Sequence, residues 1–380
     1  MKSVKKTEKT IKLFSFFAGA GFLDLGFEKT GFTIDFMNEI SEPFKDAYCF
    51  AREKMNIQAP RYGYFTCDIK NFLERSKYQV NLEHYLSRAL SDGAITGFIG
   101  GPPCPDFSIA GKNLGKEGVN GILALSYVDL ICVMKPDFFL FENVKGLYQT
   151  IEHRKYFDEL KQKLKNAGYC TSERLTNALE FGVPQDRDRI LLFGILKDKI
   201  NSTKYDSGDE LVDFLWNKYA SFQLDTVKNQ KWPECNDFGQ ISKFTLPDEY
   251  KKLTIQYWFD QNDVEDHPNA NFFFQPRSGL SKFQSIQEGD VSKKSYKRLH
   301  RWKYSPTAAY GNNEVHLHPY KERRLSVAEA LAIQSLPKEF QLPPEMSLSD
   351  MFKTIGNGVP YLMANGVAET IKNYVQENIR

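Results

Sequence analysis

The 380 residues suffice for about two ordinary domains, and a 41% hydrophobic share can fill sizeable cores. An aromatic share of 14% and a charged share of 26% exclude a disordered or low-complexity chain. A formal net charge of +2 is too small to name a partner, so any nucleic-acid binding must rest on locally concentrated charge. No run approaches the ~18 apolar residues of a membrane span, and the lysine-rich stretch Met1 to Lys12 lacks the apolar centre of a signal peptide. Six cysteines (Cys49, Cys67, Cys104, Cys132, Cys170, Cys235) include no CxxC pair, so neither a disulfide framework nor a zinc site is suggested. The expectation is a soluble globular protein of a reducing compartment.

In chain order, the first half alternates β-type apolar runs with amphipathic stretches, the pattern of an α/β domain with a largely parallel sheet. Strands are predicted at Ile11–Phe17, Phe32–Asn38, Ala94–Ile99, Asp137–Phe141 and Ile190–Ile195, and helices at Phe22–Thr30, Leu123–Met134 and Tyr156–Ala167. From about Leu196 to about Tyr320 the chain is polar, aromatic and irregular, with little periodicity. Regular signals return where Ser326 and Glu329 form a capping box for a helix over Val327–Ser335, and Tyr361–Val375 closes the chain. No internal repeat is visible.

The first strand runs into Ala18-Gly19-Ala20-Gly21-Phe22 and then a helix. A Gly-x-Gly turn lets backbone approach a ligand closely and directs helix N–H groups at it. The third glycine of a dinucleotide fingerprint is replaced by Asp24, so a pyrophosphate is poorly supported. Glu39 ends the second strand where an acid would bind ribose hydroxyls, and Asp68 ends a third strand where it could bind an adenine amino group. The same glycines would also suit a plain strand–helix turn.

The strand Ala94–Ile99 leads into Gly100-Gly101-Pro102-Pro103-Cys104-Pro105-Asp106-Phe107-Ser108, a sharp loop with a cysteine at its centre. Open α/β sheets place their sites beyond such strand ends. Structural cysteines sit inside apolar runs, as Cys132 does; Cys104 does not. The next strand delivers Glu142-Asn143-Val144. A partly desolvated carboxyl there can hold and donate a proton, although a surface acid opening a helix is the plainer reading.

Together these residues resemble the DNA cytosine-5 methyltransferase family. Phe17-Ala18-Gly19-Ala20-Gly21 resembles its S-adenosylmethionine loop, Asn38-Glu39 and Asp68-Ile69 its ribose and adenine contacts, Pro103-Cys104 its nucleophile loop, and Glu142-Asn143-Val144 its acid motif. Gly182 to Arg189 matches a Gln-x-Arg-x-Arg motif. Arg324 to Pro337 and Ile355 to Pro360 match two closing motifs, all in the family's usual order. One departure is Pro105, where the family usually has Gln; it bears on sequence preference more than on chemistry.

The resemblance implies a Rossmann-like S-adenosylmethionine-dependent catalytic domain, α/β with a mixed, mostly parallel sheet, over residues 1–199 and 321–380. A smaller, irregular DNA target-recognition domain would occupy residues 200–320. Cytosine C5 is a poor nucleophile, and addition of a thiolate to C6 pushes electron density onto C5. Cys104 would be that nucleophile, helped by cationic surroundings, and Glu142 would contact N3 and the exocyclic amine. Arg189 would reach the cytosine O2, and Arg187 would hold the loop near Cys104; ion pairs with Asp186 or Asp188 are the structural alternative. The cofactor set implied is Phe17, Gly19, Gly21, Glu39, Asp68, Ile69, Pro103, Leu123, Asn357 and Val359, with S-adenosylhomocysteine as product and no metal.

The target must be flipped out of the duplex. Ser108, Lys112 and Lys116 on the loop after Cys104 would meet DNA, although a solvated loop would look the same. Ser292 to Tyr304 holds six basic residues, three aromatics and no acid, so Lys297, Arg298 and Arg301 are expected on phosphates. Arg277, Asn312 and Asn313 could read base edges or merely form turns. His316 and His318 form no convincing metal set and read as structural. The expected partner is duplex DNA, engaged by a cytoplasmic bacterial monomer without a membrane role, beside a possible cognate restriction endonuclease. A tRNA-methylating member should have a smaller middle region, a nucleotide-binding oxidoreductase would not need the Cys104–Glu142–Arg189 set, and a dead DNA-binding relative would have lost Cys104 or Glu142.

Overall fold

The computed structural model describes residues 9–103, 119–240, 244–276, 280–293, 295–308, 310 and 315–380. A seven-stranded sheet runs β3-β2-β1-β4-β5-β8-β6, built from β1 (Ile11–Phe16), β2 (Thr33–Asn38), β3 (Tyr64–Phe65), β4 (Ile95–Gly100), β5 (Phe138–Val144), β6 (Tyr169–Asn177) and β8 (Asp188–Leu196). The first five in that spatial order pair parallel, while β8 lies antiparallel between β5 and β6.

Helices cover both faces, which is why the strands read as near-continuous apolar runs. Successive strand residues point to opposite faces. Ile11 and Leu13 of β1, with Phe138 and Leu140 of β5, therefore join one core containing Phe27 of α1 (Phe22–Lys29) and Met363, Val367 and Ile371 of α13 (Tyr361–Asn378). Phe14, Phe16, Phe139 and Phe141 join the other. That second core includes α3 (Lys77–Ser91), α4 (Val119–Met134) and α6 (Ile151–Asn166) through Leu82, Leu86, Tyr127, Ile131, Phe157 and Leu160.

The predicted capping box is present. Ser326 Oγ accepts the Glu329 N–H at 3.2 Å, and Glu329 Oε2 accepts the Ser326 N–H at 2.8 Å. The helix it opens, α11 (Val327–Ile333), stops short of Ser335, which has φ +55°. Several elements escaped the sequence reading: α2 (Glu42–Lys54), α3, β6 and α12 (Leu348–Asn357). Strand β6 lies at the sheet edge and half exposes Ser172-Glu173-Arg174-Leu175, so it offers no apolar run to find.

The polar middle holds short pieces: α7 (Leu224–Asn229), α8 (Asp248–Lys251), α9 (Ile255–Gln261) and α10 (Leu280–Ser285), with the two-residue strands β9 (Lys297–Arg298) and β11 (His316–Leu317) paired parallel. A further short strand, β10 (Ser305–Pro306), pairs parallel with β7 (Gln185–Asp186). The remaining helix, α5 (Gly146–Gln149), follows β5 directly.

The domain boundary expected at residue 200 needs correcting. Ile200, Leu211, Phe214 and Trp216 pack in the first sheet core, and the Phe214 ring stacks on Phe193 of β8 at 4.5 Å. The chain leaves the sheet only after about Ala220, because this segment is threaded by backbone hydrogen bonds to Thr171 of β6. Beyond it, Leu179 shares a small core with Val227, Trp232, Tyr250 and Leu253, while Ile255, Phe259 and Leu299 pack on Ala328 and Ile333 of α11.

Gly97 of β4 lies in register with Phe138 of β5, and a β-carbon at Gly97 would collide with the Phe138 ring. We expect Gly97→Ala to lower unfolding free energy by roughly 1–3 kcal/mol through displacement of that ring. Urea denaturation checks this, and an unchanged midpoint would refute it.

Candidate active site

Loops from the carboxyl ends of β1, β2, β4 and β5 converge on one edge of the sheet, the usual ligand edge of open α/β folds. After β1 the chain turns sharply, with Phe17, Gly19 and Gly21 at φ +54°, +56° and +80°. Gly21 N donates to Ala18 O at 2.8 Å. Glu39 fastens the turn from β2: its Oε2 accepts the Gly19 N–H at 2.8 Å and its Oε1 accepts the Ser41 N–H at 2.9 Å. Burial, the largest influence, raises the Glu39 carboxyl above the ordinary range against those hydrogen bonds. Asn38 Nδ2 donates to Phe65 O and Cys67 O at 2.9 Å each, shaping the turn that delivers Asp68. Asp68 Oδ1 accepts the Lys70 N–H at 2.9 Å and caps the single 3₁₀ turn Ile69–Phe72. Ile69 itself is buried in the second core.

Among the described residues, a β-carbon built at Gly19 would meet only Thr354 Oγ1, at 3.9 Å, so none of them crowds the turn on that side. Phe17 lies edge-on to Tyr127 of α4 at 6.0 Å, and Leu123 of the same helix is half-buried against the second core. On the other wall Asn357 is exposed and Val359 is buried. Gly358 lies so close to Phe22 that a β-carbon there would strike the ring. A buried acid fastened to the turn, backbone open to approach and apolar side chains nearby leave room for a ligand at this edge.

Beyond β4, Cys104, Ser108, Lys112 and Lys116 lie outside the described residues, as do Arg277, Asn312 and Asn313. The loop's entry is described, with Pro103 exposed at its end. Asn143 Nδ2 donates to Pro102 O at 3.3 Å. Glu142 reaches over Gly101, where a β-carbon would collide with its Oε2. The second glycine of Ile99-Gly100-Gly101 is thus room for a carboxylate. Arg189 stands opposite Val144 on β8, and its Nε lies 2.7 Å from Glu142 Oε1 with both side chains buried. Burial raises the Glu142 carboxyl above the ordinary range, and Arg189 and Arg187 oppose this only in part.

The loop that Arg187 was expected to hold lies outside the described residues. Among the described residues Arg187 holds the Gly356 and Gly358 carbonyls (2.7 and 3.0 Å) and Ala308 O (3.1 Å), so it ties the closing turn to the returning middle region. The neighbouring acids have other partners: Asp186 takes Lys228, Asp188 takes Lys145 at 2.8 Å, and Asn177 Nδ2 donates to both at 2.8 Å.

The basic run over Ser292 to Tyr304 also needs correcting. Arg298 is fully buried and donates to Ile286 O (2.8 Å), His318 O (2.5 Å), Lys321 O (3.2 Å) and Phe283 O, so it is no surface phosphate ligand. Arg301 grips Glu288 through Nε (2.8 Å) and Nη2 (2.7 Å) and lies over the Tyr320 ring at 4.2 Å. The counter-acid sits outside the run, where a local count of charges could not see it. Lys297 is half-buried in β9. His318 serves structure: its Nδ1 accepts the Tyr320 and Lys321 N–H groups at 3.2 and 3.1 Å.

The mostly parallel seven-stranded sheet, with its turn after β1 and its buried Glu142–Arg189 pair at one edge, is a Rossmann-like fold. The family model "C-5 cytosine-specific DNA methylase" matches residues 11–373, and the chain belongs to that family. It is 55% identical over 376 residues to the type II methyltransferase M.NmeDI of Neisseria meningitidis serogroup C, covering 99% of this chain and 87% of that one. It is 28% identical over 379 residues to the type II methyltransferase M.FnuDI of Fusobacterium nucleatum, covering 97% and 98%. Among solved structures, methyltransferase EhMeth of Entamoeba histolytica shares the fold with a TM-score of 0.55 at 16% identity, covering 97% and 99%.

Two predictions follow from this geometry. The Glu142 carboxyl binds its proton more tightly folded than unfolded, so ionised Glu142 opposes folding, increasingly so as pH rises from about 4. That balance already includes the attraction of Arg189. Glu142→Gln should therefore match or exceed wild-type stability at pH 7 and lose its advantage below about pH 4, while methyl transfer falls roughly 10²–10⁴-fold. Urea titrations across pH, paired with a transfer assay, decide this; a variant less stable at pH 7 contradicts it. Arg298→Ala should lower stability by at least about 2 kcal/mol, because buried carbonyls lose their donor. The slope of log Kd against log salt for duplex DNA should stay as in wild type. A slope smaller by about 1 would return Arg298 to the phosphates.

Proposed function

We propose that the chain is a type II restriction–modification methyltransferase that transfers a methyl group to C5 of a flipped-out cytosine in duplex DNA. The observation that carries this reading is the buried Glu142–Arg189 pair seated over Gly101, at the mouth of the Pro102-Pro103-Cys104 loop. The type II assignment is supported by the names of the relatives, which it matches along nearly its whole length.

S-adenosylmethionine, when bound, supplies an electrophilic methyl group and leaves as S-adenosylhomocysteine. Glu39 and Asp68 would bind its ribose and adenine, the Phe17–Gly21 turn would approach it through backbone, and Ile69, Pro103, Leu123, Asn357 and Val359 would complete the walls. The Cys104 thiolate adds to C6 of cytosine, and the electron pair of the C5–C6 double bond shifts toward C5 and N3. Glu142, held toward its protonated form by burial, shares a proton with N3 and neutralises the charge that develops there. Arg189 both orients Glu142 and donates toward the cytosine O2. Once C5 carries the methyl group, its proton leaves to a base and Cys104 is expelled, restoring the double bond.

The enzyme would act as a monomer, alongside an endonuclease of the same specificity. No helix among the described residues is long and apolar enough to cross a membrane.

The test supplies S-adenosylmethionine labelled in its methyl group to wild type and Cys104→Ala, with duplex DNA and tRNA as acceptors. Label should enter C5 of duplex cytosine with wild type alone. Label confined to tRNA would overturn the DNA assignment, and transfer by Cys104→Ala would overturn the covalent route.

A further inference from the structure

Where a dinucleotide turn places its third glycine, to let helix approach strand closely, this chain has Asp24. Its side chain is fully buried between three elements. Asp24 Oδ1 accepts the Ser15 hydroxyl of β1 at 2.7 Å, and Oδ2 accepts the Tyr48 hydroxyl of α2 at 2.9 Å. The Tyr48 ring in turn carries the Arg52 guanidinium 3.7 Å from its centroid. Arg52 is 1% exposed and ends on the cofactor turn: Nη1 donates to Ala20 O at 3.1 Å, and Nη2 to Gly21 O at 2.8 Å. Nη2 also donates to Glu28 at 2.9 Å.

The turn is therefore gripped from two sides. Glu39 holds the Gly19 N–H, and Arg52 holds the next two carbonyls. Both carbonyls face a cation inside the protein. Gly21 has no alternative residue here, since its φ is +80° and a β-carbon would collide with the guanidinium.

Such a network is a poor choice for packing alone. Buried ion pairs are often no better than apolar side chains of the same volume, and burial pushes Asp24 up to about 6 in spite of Arg52. Its terminal hydrogen bonds do what packing cannot, because they set backbone that no apolar side chain could set. A planar fork reaching two carbonyls and a carboxylate is also a geometry that lysine cannot reproduce.

We infer that Arg52, oriented by Tyr48 and Asp24, is a positioning residue for the methyl donor: it shapes the Phe17–Gly21 turn from beneath and so governs donor affinity without touching donor or cytosine. This rests on the assignment of that turn to S-adenosylmethionine in the proposed function.

The experiment measures S-adenosylmethionine Kd by calorimetry on the full chain, together with KM for donor, kcat at saturating donor and Kd for duplex DNA. Wild type, Arg52→Lys and Asp24→Asn are compared well below each melting temperature. Arg52→Lys should weaken donor binding and raise its KM about tenfold, the effect of losing a charged hydrogen bond, with kcat and DNA affinity within about threefold of wild type. A folded Arg52→Lys that binds donor like wild type overturns the inference, since a purely structural role would lower only the melting temperature. If Arg52→Lys does not fold, Asp24→Asn decides: a several-fold weaker donor Kd supports the inference, and an unchanged one overturns it. Wild type that binds no donor would instead overturn the cofactor assignment, and the inference with it.

Discussion

The site depends on a reversal of strand direction. A parallel sheet gathers the carboxyl ends of its strands on one edge, so only residues that follow strands can meet there. Strand β8 runs antiparallel beside β5 and brings its own beginning to that edge. Arg189 at its start thus lies across from Glu142-Asn143-Val144 at the end of β5, and the two opposite charges are buried as a pair. A buried carboxylate without a partner would simply take up a proton. With Arg189 beside it, the upward push that burial gives the Glu142 carboxyl is opposed in part.

The motif entering β8 is also the joint between the two parts of the molecule. Ser305 N donates to Pro184 O at 2.8 Å, Thr307 Oγ1 to Asp186 O at 2.7 Å, and Ala308 N to Gln185 Oε1 at 2.9 Å. Gln185 Nε2 also reaches Gln334 at 3.2 Å, at the end of α11. Arg187 completes the joint through Gly356 and Gly358. Alternate residues of one short segment therefore face different neighbours: Gln185 and Arg187 fasten the returning chain and the closing turn, and Arg189 pairs with Glu142.

Local signals in the sequence translated well wherever the physics was local. The strands β1, β4, β5 and β8 are apolar because both sheet faces are covered, and the capping box at Ser326 works through residues three apart. Edge strand β6 was missed because its middle is half exposed. Residues 200–220 were assigned to the wrong part because a polar stretch can still place Leu211, Phe214 and Trp216 under a sheet. Arg298 and Arg301 misled for a related reason: a basic run describes charge along the chain, whereas burial and the partner Glu288 are set across it.

By itself, then, the sequence determined the α/β class and the order of the motifs, since strand periodicity, turn glycines and residue type are properties of short segments. Tertiary structure alone decided which charges meet. It paired Glu142 with Arg189 across an antiparallel seam, withdrew Arg298 into the interior, and set Arg52 of an ordinary helix beneath the Phe17–Gly21 turn. Desolvation and ion pairing depend on neighbours distant in sequence, and only the folded chain brings them within reach.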